Sequence, residues 1–156
     1  MEIRNAEKAD LKKIMQLSVK LLNDLTKIRN FYKPPEEFAG YETGKVLALE
    51  KMLSNDKFRI LVLSEKDEIR GYIIAKIANN PFLNQEKLRG EIIEFYALEE
   101  YREWGKALIE KSLIWLRENK IRRAVGKFDT LFEWTKKLYE TAGFHQFQNE
   151  YEIILK

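Results

Sequence analysis

The chain has no cysteine and a single histidine, His145. Without a thiol there is no disulfide, no thiol nucleophile and no cysteine-held metal. One imidazole makes serine–histidine–aspartate relays and multi-histidine zinc sites hard to build, so no metal ligands are assigned. No apolar run approaches the roughly 18 residues that a membrane span needs, and Met1–Asn5 lack the apolar stretch of a secretory signal. The expectation is a soluble, cytoplasmic protein with no membrane partner. Charge of neither sign dominates: 28 basic residues stand against 25 acidic ones, a net of +3. Such near balance points to no nucleic-acid partner, and the mixed stretch Lys120–Phe128 reads as a strand with solvated charged flanks.

What is present is a globular composition. Of 156 residues, 45% are hydrophobic and 12% aromatic, which is enough for a real core in one domain spanning 1–156. Only three prolines and seven glycines punctuate it. Ile3-Arg4 opens a strand, and Leu11, Ile14, Met15, Leu21, Leu22 and Leu25 recur at helical spacing, predicting a first helix of about four turns. A loop follows from Arg29 to Gly44. A second helix is expected from about Thr43 to Ser54, buried through Val46, Leu47, Leu49, Met52 and Leu53. Two apolar runs, Phe58–Leu63 and Ile69–Ile77, flank the charged turn Glu65-Lys-Asp-Glu68 and read as a hairpin. A strand at 90–98, a helix from about Trp104 to Asn119, a strand at Arg122–Phe128 and a helix from about Phe132 to Ala142 come next. Two terminal strands, Phe144–Phe147 and Tyr151–Leu155, complete the order β-α-α-β-β-β-α-β-α-β-β. That order predicts an α/β (α+β) domain, one mixed, mostly antiparallel sheet with helices on both faces.

The most informative segment runs from Glu91 to Leu108. It reads as an apolar strand, a tight turn and a helix that begins near Gly105. The amides and positive dipole end of such a helix start attract phosphate or pyrophosphate, which points to a nucleotide-bearing cofactor. Glu91 and Glu94 on the feeding strand would bring acid–base chemistry beside it. Strict alternation puts Glu91, Ile93, Phe95 and Ala97 on one face and Glu94, Tyr96 and Leu98 on the other, so that only one carboxylate would face a substrate.

Arg102-Glu-Trp-Gly105-Lys-Ala107 fits the Gln/Arg-x-x-Gly-x-Gly/Ala motif, and Leu138-Tyr-Glu-Thr-Ala-Gly-Phe144 fits a Leu-Tyr-Glu-x-x-Gly-Phe closing motif. With Met1–Leu11 and Ile69-Arg-Gly-Tyr72, these matches cover nearly the whole chain in order, and in this it resembles the GNAT superfamily of acyl-CoA-dependent N-acetyltransferases. A second alignment matches Gly105-Lys-Ala-Leu108 to the later part of a longer motif and puts Glu103 at the first glycine. There its charge would oppose a pyrophosphate unless Arg102, Lys106 or an outward orientation relieved it. Phe132 stands where many members carry asparagine.

The resemblance implies acetyl-CoA as cofactor and an amine acceptor: a protein lysine or N-terminus, a polyamine or another small amine. It implies that Arg102, Glu103, Trp104, Gly105, Lys106 and Ala107 wrap the pyrophosphate, the amides of residues 104–107 above all. Main-chain groups of Phe95, Tyr96 and Ala97 would pair with the pantetheine arm. An amine of pKa about 10.4 must lose a proton before it attacks, at a cost of about 4–5 kcal/mol at neutral pH. Either Glu91 or Glu94 matches the family's positions for the base, and Tyr139 its position for a general acid on the leaving thiolate. Trp104 would stack on the cofactor or cap the sheet edge. Segments 27–42 and 79–89, with Tyr32, Glu36, Glu37, Phe38 and Tyr41, would form the acceptor mouth. The resemblance also allows a homodimer, and a non-catalytic CoA-binding or protein-interaction domain is the alternative function.

Overall fold

The computed structural model describes residues 1–28, 35–80, 86–127 and 132–146. Five strands, β1 (Glu2–Asn5), β2 (Phe58–Glu65), β3 (Glu68–Asn79), β4 (Leu88–Ala97) and β5 (Ala124–Gly126), form one sheet in sequence order. Every pairing is antiparallel except the last, between β4 and β5, which is parallel. Helices α1 (Leu11–Ile28) and α2 (Tyr41–Leu53) cover one face, and α3 (Gly105–Glu118) and α4 (Glu133–Thr141) the other. The expected mixed α/β architecture is therefore present. Of the two terminal strands, the second lies outside the described residues, and Phe144–Gln146 are irregular.

Alternation along β2 and β3 divides the core. Ile60, Val62, Tyr72 and Ile74 pack under α1 and α2 with Leu11, Ile14, Leu17 and Leu49. Leu61, Leu63 and Ile73 point the other way, into Leu108 and Ile109 of α3 and Tyr139 of α4. The β2–β3 hairpin closes through Lys66 and Asp67, both at positive φ (49° and 65°), the left-handed pair that matches the twist of a two-residue turn. Helix α1 runs 18 residues, five turns where four are expected. Helix α2 departs from its predicted burial: Leu47 is 52% exposed and Leu53 is also exposed, because the inward stripe is Tyr41, Lys45, Leu49 and Met52. Among the described residues no helix is long and apolar enough to cross a membrane.

The tight turn expected before α3 is instead a 3-10 helix, Glu99–Trp104, which runs straight into Gly105. Its start is pinned to the hairpin. The Tyr101 hydroxyl donates to Glu65 at 2.8 Å, Arg70 stacks on the Tyr101 ring, and the Leu98 amide donates to the Arg70 carbonyl.

At the other end of the sheet, Arg4 grips Asp10 through two hydrogen bonds of 2.7 and 3.0 Å, and Asp10 also accepts the Glu7 amide. The Arg4 guanidinium holds the Asp10 carboxyl below its ordinary range, against the opposing effect of burial. A carboxylate whose folded-state pKa is depressed stabilises the fold above its unfolded pKa and loses that contribution as pH falls. Asp10→Asn should therefore lower unfolding stability at neutral pH by about 1–2 kcal/mol, read by urea titration. The gap to wild type should close between about pH 5 and pH 2; a gap independent of pH would show that the charge is not what matters.

Candidate active site

Among the described residues strand β4 pairs with β5 through Gly90, Glu91 and Ile92, opposite Ala124, Val125 and Gly126. It then continues for five residues, Ile93–Ala97, and among the described residues no strand pairs with that edge. The register with β3 shows why the two diverge: Ile74 faces Glu94 and Ala75 faces Ile92, so Ile93 is an extra, unpaired residue. A bulge of this kind bends its strand and raises its local twist. Among the described residues the β4–β5 ladder ends, and the sheet opens, at the Ile92–Gly126 rung.

The bulge also overturns the expected facing of the carboxylates. Glu94 lies opposite Ile74 and Glu91 opposite Lys76. Ile74 and Lys76 share one side of β3, so both glutamates face the α1–α2 side. Their surroundings separate them. Burial pushes the Glu91 carboxyl up, but hydrogen bonds from Lys76 (2.9 Å) and Arg89 (2.9 and 2.5 Å) prevail and hold it below its ordinary range. Glu91 is thus a doubly paired anion within the β5-paired part of the strand. Glu94 sits on the open part, accepting from the Tyr72 hydroxyl and from Lys45 Nζ, the latter at 2.5 Å.

Behind Glu94 runs a chain of hydroxyls. Tyr72 gives its proton to Glu94, Ser18 lies beside the Tyr72 hydroxyl, and the Ser18 and Tyr41 hydroxyls share a hydrogen bond of 3.2 Å. Burial and the neighbouring carboxylate push the Tyr72 phenol well up. Tyr96, directly across from Tyr72, donates to Asp24 of α1 at 3.0 Å, and burial with the Asp24 charge pushes it up to about 12. Of the expected mouth residues, Tyr41 joins this network and Phe38 is exposed, whereas Tyr32 and the Glu36 side chain lie outside the described residues.

On the opposite face, Tyr139 is 3% exposed, within a cluster of Phe95, Ala97, Leu108 and Ile109, with Phe144 edge-on to its ring. Burial pushes its phenol far up, so it keeps its proton at any physiological pH. It lies against Gly126: a Cβ there would come within 2.2 Å of the ring and 3.0 Å of the hydroxyl oxygen. Tyr139 therefore stands where β4 and β5 part. Gly105 is a glycine for a comparable reason. A Cβ would meet Leu138 at 2.6 Å and Phe95 at 2.9 Å, so its bare backbone lets α3 start directly against β4 and α4.

The segment 102–107 is only partly as expected. The Gly105 amide is already bonded to the Arg102 carbonyl, whereas no side chain caps α3. Glu103 is exposed and His145 likewise. Trp104 is also exposed, and Phe132 takes the position before α4. Arg102 stacks on Trp134 at 4.6 Å, and Trp134 in turn packs on Phe95. Arg59, Arg70 and Arg102, each stacked on a ring, leave Nε without an acceptor, and so does the buried indole N–H of Trp134.

Residues 22–144 match the acetyltransferase (GNAT) family, well over half of the chain. The chain belongs to this family. No curated protein matches this GNAT chain. Among solved structures, a tetramutant of BH1408 from Bacillus halodurans superposes with a TM-score of 0.82 at 18% identity, covering 99% of this chain and 100% of that one. An aminoglycoside antibiotic 6'-N-acetyltransferase from Acinetobacter haemolyticus gives a TM-score of 0.74 at 16% identity, covering 100% and 99%. AAC(6')-Iy, solved with the bisubstrate analogue CoA-S-monomethyl-acetylneamine, gives 0.75 at 16% identity, covering 99% and 97%. At these identities the likeness carries the GNAT fold.

Lys45, Tyr72, Ser18, Asp24 and Trp134 were not legible as site residues. Their only sequence signal is the i, i+4 spacing of Tyr41 and Lys45, which places both on one face of a helix without saying what that face meets. Gly126→Ala should cost about 1–3 kcal/mol in unfolding stability, because the added methyl overlaps the Tyr139 ring, and should alter the near-ultraviolet tyrosine dichroism. Tyr139→Phe should cost less. An alanine variant as stable as wild type would show that β5 gives way freely.

Proposed function

We propose that the chain is an N-acetyltransferase that moves an acetyl group from acetyl-CoA to an amine by direct attack in a ternary complex. The observation that carries this reading is the opening between β4 and β5. It joins a carboxylate on one face, Glu94, to a protonated phenol on the other, Tyr139. When bound, acetyl-CoA supplies an acyl group already activated as a thioester. Main-chain groups of Phe95, Tyr96 and Ala97, with the Trp134 N–H, would hold its pantetheine arm. Arg102 and Lys106, with amides from Trp104 to Ala107, would hold the pyrophosphate, Glu103 keeping its charge in solvent.

The chain's own groups divide the proton chemistry. Glu94 takes a proton from the acceptor ammonium, and the Tyr72 hydroxyl fixes its orientation. Tyr139, which burial keeps protonated, would offer its O–H as a hydrogen-bond donor to the sulfur that leaves as thiolate. Glu91, held by two cations, positions β4 and is assigned no proton transfer. The acceptor side carries Asp24 and Glu94, which suits a cationic amine, and the resemblance in fold to aminoglycoside acetyltransferases makes aminoglycosides a first class to try. The acceptor belongs among small amines, protein lysines or N-termini.

A non-catalytic reading has its own observations: Phe132 before α4, and the Gly105 amide consumed in the 3-10 turn. Calorimetric titration with acetyl-CoA, then thiol release over a panel of lysine peptides, N-terminal peptides, polyamines and aminoglycosides, separates the two. Turnover should fall roughly 10²–10⁴-fold in Glu94→Gln and in Tyr139→Phe, with Glu91→Gln much milder. Full turnover in both variants would reject these roles, and binding without thiol release from any amine would favour the non-catalytic domain.

A further inference from the structure

The carboxylate assigned as base already holds an amine. Lys45 Nζ lies 2.5 Å from Glu94 Oε2, and it is of the same chemical kind as the acceptor proposed for this site. Its side chain is 15% exposed, whereas that of Lys8, an ion-paired lysine on the rim, is 82% exposed. Helix α2 holds it there: Tyr41, one turn earlier on the same stripe, is tied to Ser18, and Leu49, one turn later, is fully buried. Glu94 belongs to the open stretch of β4, so the Lys45 amine faces the part of the strand that borders the opening.

We propose that Lys45 is an internal acceptor, and that the protein acetylates its own Lys45 Nζ when acetyl-CoA is bound and no outside amine competes. This inference rests on the acetyltransferase reading above. Glu94 removes one proton from the Lys45 ammonium, and the freed amine attacks the thioester carbonyl carbon. A C–N bond forms and the C–S bond breaks, with its electron pair leaving on sulfur. A second amine proton ends on that sulfur, coenzyme A departs as the thiol, and the first proton passes from Glu94 to solvent. The product amide carries no charge, so Glu94 is left with Tyr72 as its donor. An outside ammonium reaches Glu94 only by displacing Lys45, so the same contact also selects against weakly basic acceptors.

The full chain, incubated with acetyl-CoA and no added amine, is followed by intact mass and peptide mapping. The expected result is one acetyl group per chain, on Lys45, absent in Lys45→Arg and slowed at least about tenfold in Glu94→Gln. The rate constant should not depend on protein concentration. The urea-unfolded chain should instead acquire scattered, slow acetylation without preference for Lys45. Lys45 left unmodified in a protein that binds acetyl-CoA and releases thiol to an outside amine overturns the inference and leaves the proposed function standing. Modification that is as fast in Glu94→Gln, or that rises with protein concentration, also overturns it. Failure to bind acetyl-CoA overturns both. Because mapping of the wild-type chain decides the site, a Lys45→Arg variant that fails to fold does not blunt the test.

Discussion

The rest of the site depends on a single extra residue in β4. Ile93 has no partner in β3, and that one insertion does three things at once. It brings Glu91 and Glu94 to the same face, it bends β4 just past the Ile92–Gly126 rung, and it opens a stretch, Ile93–Ala97, whose outer edge meets no described strand. The local cost of such a bulge is lost pairing, and the hydrophobic clusters on both faces offset it, since Ile92 and Phe95 on either side of the bulge are both buried in the same cluster under α3 and α4.

The two faces then acquire opposite characters from ordinary packing. Under α3 and α4 the environment is apolar, and two glycines allow close approach: Gly105 admits the helix start against Phe95 and Leu138, and Gly126 admits the Tyr139 ring. A phenol enclosed in that way stays protonated at neutral pH and can act as a donor. Under α1 and α2 the same sheet carries hydroxyls and carboxylates that pair with one another: Tyr72 donates to Glu94, Tyr96 donates to Asp24, and Ser18 and Tyr41 share a hydrogen bond. Low local dielectric strengthens such a chain when it is complete and penalises it when one member is missing.

The architecture was legible because its signals are local. The β2–β3 hairpin follows from two apolar runs around Lys66-Asp67, α1 from Leu11, Ile14 and Met15, and the end of α4 from Gly143, which indeed takes a left-handed conformation. Gly105 marked the start of α3 correctly, although its reason is packing as much as any ligand. The site was less legible. The facing of Glu91 and Glu94 was misjudged because alternation assumes an unbroken ladder, and nothing in Glu91-Ile-Ile-Glu94 announces a bulge. The inward burial of Leu47 and Leu53 failed for a related reason: α2 turns a partly polar stripe inward, with Tyr41 and Lys45 answering groups on β3 and β4 that lie far away in sequence. The 3-10 segment at Glu99–Trp104 is likewise set by a distant contact, Tyr101 to Glu65.

The three-rung pairing of β4 with β5 has a thermodynamic side. Whatever adds main-chain contacts along Ile93–Ala97 restores continuity that no described strand supplies, and a molecule that does so binds the folded protein alone. Mass action then raises the folded population by RT ln(1 + [L]/Kd), about 2.7 kcal/mol at a hundredfold excess over Kd. The resistance of this protein to unfolding and proteolysis becomes a reading of how much of that molecule its surroundings contain.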